Sequence, residues 1–182
     1  MTYSLTWMPD VLSKAGLKVV LEPGWQTRGH GDFGPPEGVL LHHTAGPPRG
    51  EMPDLSIIIN GRPGLSGPLA NLSLGRSGTY YVIAAGRAYH AGFGTWNNVT
   101  SGNSCFIGIE AENTGVAGDP WPLVQMDAYQ RGVAALLAHM GRDASWCAGH
   151  KEYAIPAGRK TDPDFDMDMF RKAVAKLLEV RE

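Results

Sequence analysis

An α/β fold, a single domain with a central mixed β-sheet flanked by helices, is what three features of the sequence predict. Short apolar runs of strand length alternate along the chain with helix-length stretches of 3.6-residue periodicity. Two of the runs, residues 79–84 and 87–90, are separated only by Ala85 and Gly86, which predicts a hairpin and therefore some antiparallel pairing. The length, 182 residues, suits one core that needs no covalent staples.

The elements follow in order. Residues 9–17 form a short helix with Val11, Leu12 and Ala15 on one side, stopped by Gly16. Residues 19–21 make a short strand, and the Gly/Pro-rich stretch 22–38 is a loop. Val39, Leu40 and Leu41 run into His42 and His43, the pattern of a buried central strand whose end opens onto a site. Residues 53–60 suit a helix with Pro in its first turn, ended by Gly61, and 61–78 is loop-rich. Residues 92–102 are again loop. Residues 105–112 are the strongest strand, with Phe106, Gly108, Glu110 and Glu112 on one face and Cys105, Ile107 and Ile109 on the other. The strongest helix, 125–140, places Met126, Tyr129, Val133, Leu136, Leu137 and Met140 on one side. Residues 146–149 form a short strand leading into His150, followed by a long loop, 151–163. The last helix, 167–180, buries Phe170, Val174, Leu177 and Leu178, and Asp164, Asp166 or Asp168 can cap its positive end.

Charge and composition exclude several classes. A net charge of −2 without a basic stripe gives no nucleic-acid footprint. No apolar run approaches the length of a membrane span. The N-terminus has neither a basic segment nor an apolar one, so no signal peptide is expected. Synthesis in the cytoplasm follows, with release by other means if the substrate lies outside. Cys105 and Cys147 are expected to be buried free thiols.

The chemistry-bearing residues are six histidines and a few carboxylates. A catalytic zinc site needs three protein ligands and an open position. Only one of His42 and His43 can face a given site, because successive strand residues point to opposite faces, and both also suit satisfied strand ends. His150 at a strand end and Asp162 in the following loop can meet at one metal, although Asp162 beside Pro163 equally suits a turn. Lys160 lies two residues before Asp162. In an extended segment both face the same way, so a lysine there could offset charge developing on a substrate oxygen. Glu110 and Glu112 end the strongest strand, where a carboxylate is expensive to bury unless it works or is paired. His139, beside the apolar face of its helix, reads as structural or exposed, and His30 carries no assignment.

Taken in order, these residues form a recognisable series: Leu41-His42-His43-Thr44-Ala45-Gly46, Tyr89-His90-Ala91-Gly92, Asn103 through Glu110, Gly149-His150, Arg159-Lys160-Thr161-Asp162-Pro163 and Phe165-Asp166. The series resembles the type-2 N-acetylmuramoyl-L-alanine amidases, kin of the peptidoglycan recognition proteins, from about Val39 to the end of the chain. The stretches 24–31 and 112–115 further resemble amidase domains of lysins from phages of actinobacteria. The resemblance implies a peptidoglycan recognition protein/amidase-like fold, with residues 1–38 as an N-terminal helix and loop segment and 39–182 as the family core of one catalytic domain. It implies one Zn2+ per chain, held by His42, His150 and Asp162 in the branch of the family that uses aspartate. Glu110 then matches the acid/base carboxylate and Lys160 the electrostatic helper. Some relatives carry a catalytic tyrosine where this chain has Ala70-Asn71-Leu72, which places more weight on Glu110.

The activity so implied is zinc-dependent hydrolysis of the amide between N-acetylmuramic acid and L-alanine in bacterial peptidoglycan, as a phage or prophage endolysin. The expected protein is a monomer that does not enter the membrane and acts on the cell wall after release. His43, Tyr89, His90, Trp96, Asn103 and Arg159 are candidate substrate contacts. Two other readings share these residues: a non-catalytic peptidoglycan-binding module, and a zinc peptidase acting within the stem peptide.

Overall fold

The computed structural model describes residues 2–180. In chain order the elements are α1 (Met8–Lys14), β1 (Lys18–Leu21), β2 (Gly38–His43), α2 (Leu55–Asn60), β3 (Gly61–Arg62), β4 (Leu65–Ser66), β5 (Leu72–Leu74), β6 (Thr79–Val82), α3 (Gly102–Cys105), β7 (Phe106–Ala111), α4 (Leu123–Met140), β8 (Cys147–Gly149), α5 (His150–Tyr153) and α6 (Met167–Glu179). Six strands form one sheet in the order β1-β6-β5-β7-β2-β8, and β3 and β4 make a separate small ribbon. All neighbouring pairs in the main sheet are parallel except β5–β6. The sheet is therefore mixed, as the sequence predicts.

Strand alternation assigns the two faces. Val39 and Leu41 of β2, Leu72 and Leu74 of β5, and Ile107, Ile109 and Ala111 of β7 point into the main core. There they meet Leu12 of α1, Tyr129, Val133 and Leu136 of α4, and Phe170 and Val174 of α6. The apolar side chains between offer an α-helix the dry, flat surface it needs to bury its own stripe. The opposite residues, Leu40, Phe106 and Ala148, pack under loops with Ala91 and Tyr153. His42 and Glu110 share this second, loop-covered face. Helix ends follow their side chains: the Asp166 carboxylate accepts from the Met169 amide at 2.9 Å to start α6, and Gly141 ends α4 in the left-handed region.

Three local expectations are corrected. The hairpin is formed by β5 and β6, so residues 72–74 of the predicted loop are a central strand. Residues 87–90 form no strand: the Arg87 amide bonds to the Gly31 carbonyl and the Tyr89 amide to that of Pro68. The segment after β8 does not open directly into a loop, because His150 begins the one-turn helix α5. Cys147 is buried and Cys105 is half-buried in α3; both are free. His139 is exposed and stacks on Trp7, with ring centroids 4.1 Å apart.

Candidate functional site

The parallel strands end together, and that places the site. In register, His42 of β2 pairs with Glu110 of β7, and Glu110 pairs with Ser73 of β5. His150 lies one residue beyond the Leu41–Gly149 pair of β2 and β8. One row across the carboxyl ends of four adjacent strands thus carries His150, His42, Glu110 and Ser73. A cleft of about 660 Å³ opens over this row, with His42, Glu110, His150, Lys160 and Asp162 in its lining. Ligand sites of open α/β sheets sit at this end of the strands.

Asp162 reaches the row from the loop after α5. Its Oδ2 lies 3.0 Å from His42 Nδ1 and 3.1 Å from His150 Nδ1. The loop is tied back where it matters, because the Lys151 amide donates to the Asp162 carbonyl at 2.7 Å. The candidate ligand atoms of the three side chains all lie within 4.8 Å of one another.

The hydrogen bonds on the far sides of the rings fix the tautomers. His150 Nε2 lies 2.9 Å from the Ala91 carbonyl, which can only accept, so Nε2 carries the proton. His90 Nε2 faces the Phe106 carbonyl at 3.1 Å and is protonated for the same reason. A neutral His90 then has a bare Nδ1, and His42 Nε2, 3.1 Å away, must donate to it. Burial, reinforced by the nearby His150, lowers the His42 pKa to about 4, and burial holds His90 well below its usual range, so both are neutral at pH 7. With its proton kept on Nε2, a neutral imidazole at either position turns a bare Nδ1 toward one oxygen of Asp162. In that state three lone pairs converge, an arrangement that could hold a cation. Two imidazoles and a carboxylate are a donor set that zinc takes.

Beside this triad, Glu110 Oε1 lies 3.9 Å from His42 Nδ1, and Glu110 Oε2 is buried without a hydrogen-bond partner among the described residues. Burial first, and then the charge of Asp162, push the Glu110 pKa up to about 8, with Lys160 pulling the other way. Ser73, which sequence reasoning missed, is in the same state: its hydroxyl is buried without a partner, in register with Glu110. A lone serine in a Gly-rich stretch gave no signal.

The other candidates divide. His43, Tyr89, His90 and Arg159 line the cleft. His43 Nδ1 lies 3.6 Å from Asp164, and the face of Tyr89 is stacked on His30 at 3.6 Å between centroids. The Arg159 guanidinium donates to the Phe93 carbonyl at 2.6 Å and to that of Ile155 at 3.0 Å. Trp96 and Asn103 do not line the cleft. The Trp96 indole donates to the Ser145 carbonyl at 2.8 Å and lies beneath the Arg171 guanidinium, while the Asn103 side chain is bound to backbone amides. Asn71, within the stretch Ala70-Asn71-Leu72, is buried, its amide donating to the carbonyls of Ala84 and Gly86 and accepting from the Gly108 amide.

A mixed sheet whose open cleft is lined by a possible metal-binding triad, a buried carboxyl and a lysine fits a hydrolytic enzyme. The chain belongs to the N-acetylmuramoyl-L-alanine amidase family, which its residues 32–165 match. Solved structures agree on the fold. A selenomethionine AmpD derivative superposes with a TM-score of 0.63 at 24% identity, over 95% of this chain and 99% of that one. The amidase AmiD from E. coli, in complex with its substrate anhydro-N-acetylmuramic acid-L-Ala-D-gamma-Glu-L-Lys, gives 0.61 at 19% identity, over 84% of this chain and 64% of that one. The endolysin amidase LysCS from Clostridium intestinale gives 0.59 at 19% identity, over 85% and 93%. No curated protein sequence gives a significant match. No helix among the described residues is long and apolar enough to cross a membrane.

Proposed function

We propose that this amidase is zinc-dependent, cuts the bond between N-acetylmuramic acid and the L-alanine of the stem peptide in bacterial peptidoglycan, and serves as a phage or prophage endolysin. The observation that carries the reading is the convergence of two imidazole Nδ1 atoms and one carboxylate oxygen beside Glu110. The endolysin role is supported by the likeness to LysCS, and the substrate by that to AmiD with its muramyl peptide.

His42, His150 and Asp162 would hold the metal. Bound there, zinc would supply Lewis acidity toward a water and toward the scissile carbonyl. Glu110, whose Oε1 lies 3.9 Å from His42 Nδ1, would take the proton of the attacking water and return it to the departing L-alanine nitrogen. Lys160, in the lining of the same cleft, sets its positive charge against the oxygen that becomes negative in the tetrahedral intermediate. Tyr89, Arg159 and His43 are placed along the cleft where a glycan–peptide strand would lie.

Digestion of purified cell wall followed by mass spectrometry tests the reading. Free stem peptides beginning at L-alanine, lost on chelation and restored by zinc, are the expected products. New N-termini inside the peptide would make the protein a peptidase instead, and no product at all would make it a binding module.

A further inference from the structure

The ring nitrogens of His42 and His150 that face away from the cleft are both met by one two-residue stretch. His42 Nε2 donates to the ring of His90, and His150 Nε2 donates to the carbonyl of the next residue, Ala91. That stretch is clamped by a single atom. The Asn103 side-chain oxygen accepts from the His90 amide at 2.9 Å and from the Ala91 amide at 2.8 Å. The far end of the His90 ring is anchored on the Phe106 carbonyl. Its near face lies on Gly108, where a Cβ would come within 2.6 Å of the ring's Cγ. His90 is only 8% exposed, and both its nitrogens are engaged.

We infer that His90 and Asn103 are positioning residues for the metal centre: the stretch 90–91, locked by Asn103, sets the tautomer and ring orientation of both histidine ligands at once. The inference rests on the reading of His42, His150 and Asp162 as ligands. The physical reason is direct. A neutral imidazole has one proton, and it ligates through Nδ1 only while that proton is kept on Nε2. The acceptors at His90 and Ala91 keep it there. Without the acceptor on His90, the His42 proton is free to move to Nδ1, where it blocks the ligand position. Loss of such an outer partner weakens metal binding by roughly 10- to 100-fold. Asn103 differs from an ordinary loop tie because one substitution releases the partners of both ligands together.

Two amides separate the halves of the His90 ring. His90→Asn places an amide oxygen where Nδ1 was and keeps an acceptor for His42. His90→Gln places its amide near Nε2, keeps a donor for Phe106 and leaves His42 without its partner. Zinc affinity is measured on the metal-free proteins by competition with a chromophoric chelator, with the unfolding midpoint of each metal-free protein read alongside. The expected result is zinc binding weakened about 10- to 100-fold in His90→Gln and Asn103→Ala, and largely kept in His90→Asn and Asn103→Asp, whose carboxylate still accepts from both amides. A purely structural role would order the His90 variants by unfolding midpoint and not by zinc affinity. A substrate contact would raise KM with zinc affinity unchanged. Either result, or wild-type zinc affinity in His90→Gln and Asn103→Ala while His42→Ala loses zinc, overturns the inference and leaves the metal reading standing. Equal zinc binding by wild type and His42→Ala would overturn the metal reading itself, and the inference with it.

Discussion

His42 and Glu110 stand opposite each other on adjacent parallel strands, with His42 Nδ1 3.9 Å from Glu110 Oε1. Their closeness is a consequence of register, since a slip of one residue would turn Glu110 to the core face and bring Ile109 to the cleft. Glu110→Gln preserves shape and removes only the titrating oxygen. The variant is expected to bind zinc as the wild type does and to lose turnover by about 10²- to 10⁴-fold, the range for a missing general acid–base group. Metal analysis beside a wall-lysis rate checks both halves, and a variant with near-normal turnover would assign the proton transfer to another group.

Lys160 lines the same cleft as Glu110 and Asp162, and its charge already pulls the Glu110 pKa down against burial. An oxyanion partner acts in the transition state and little in the ground state. Lys160→Ala should therefore lower kcat on the order of 10²- to 10³-fold with a much smaller change in KM. Steady-state kinetics on a soluble muramyl peptide separate the two constants. An effect confined to KM would make Lys160 a substrate clamp.

Tyr129 ties helix α4 to the strand that carries His42. Its buried hydroxyl accepts from the His42 amide at 3.2 Å and lies 3.1 Å from the carbonyls of both His42 and Ile109. Tyr129→Phe leaves the His42 amide buried without that acceptor, so a destabilisation of roughly 1–3 kcal/mol is expected in urea unfolding. Unchanged stability would mean that the strand ladder takes the amide back.

The sheet's centre was legible because β2 and β7 are uninterrupted apolar runs, and a run that ends in His42-His43 or Glu110 announces a site at its end. What escaped was set by partners distant in sequence. β5 has three residues, too few for alternation to register, and Asn71 and Gly75 around it read as loop. Residues 87–90 alternate like a strand, yet β1 occupies the outer edge of β6 where they would have paired. Lys160 and Asp162 were readable as a same-facing pair. That Asp162 faces both histidines depends on a loop returning from α5, and no spacing rule encodes it. His90 and Asn103 were read as candidate substrate contacts, but only the folded chain shows their side chains turned toward His42 and toward backbone amides.

Glu112 offers a test by pH. It is fully buried at the end of the β7 run, accepting from the Thr44 hydroxyl at 2.9 Å. Burial, with the nearby charge of Asp54 adding to it, raises its pKa to about 7 against an ordinary 4.5, and the Thr44 bond offsets only part of this. A carboxyl whose folded pKa is raised favours the folded state in its protonated form. Its contribution is complete below pH 4.5 and is lost as pH climbs through 7. Glu112→Gln keeps an oxygen for Thr44 and cannot ionise. The variant's melting temperature should therefore rise relative to wild type as pH goes from 5 to 8, by about 2–4 °C for each kcal/mol that ionisation costs the wild type. Thermal unfolding of both proteins across that range cancels every other titrating group in the difference. A flat difference would mean that Glu112 stays ionised in the fold, with Thr44 and the Asp54 amide as sufficient partners for its charge.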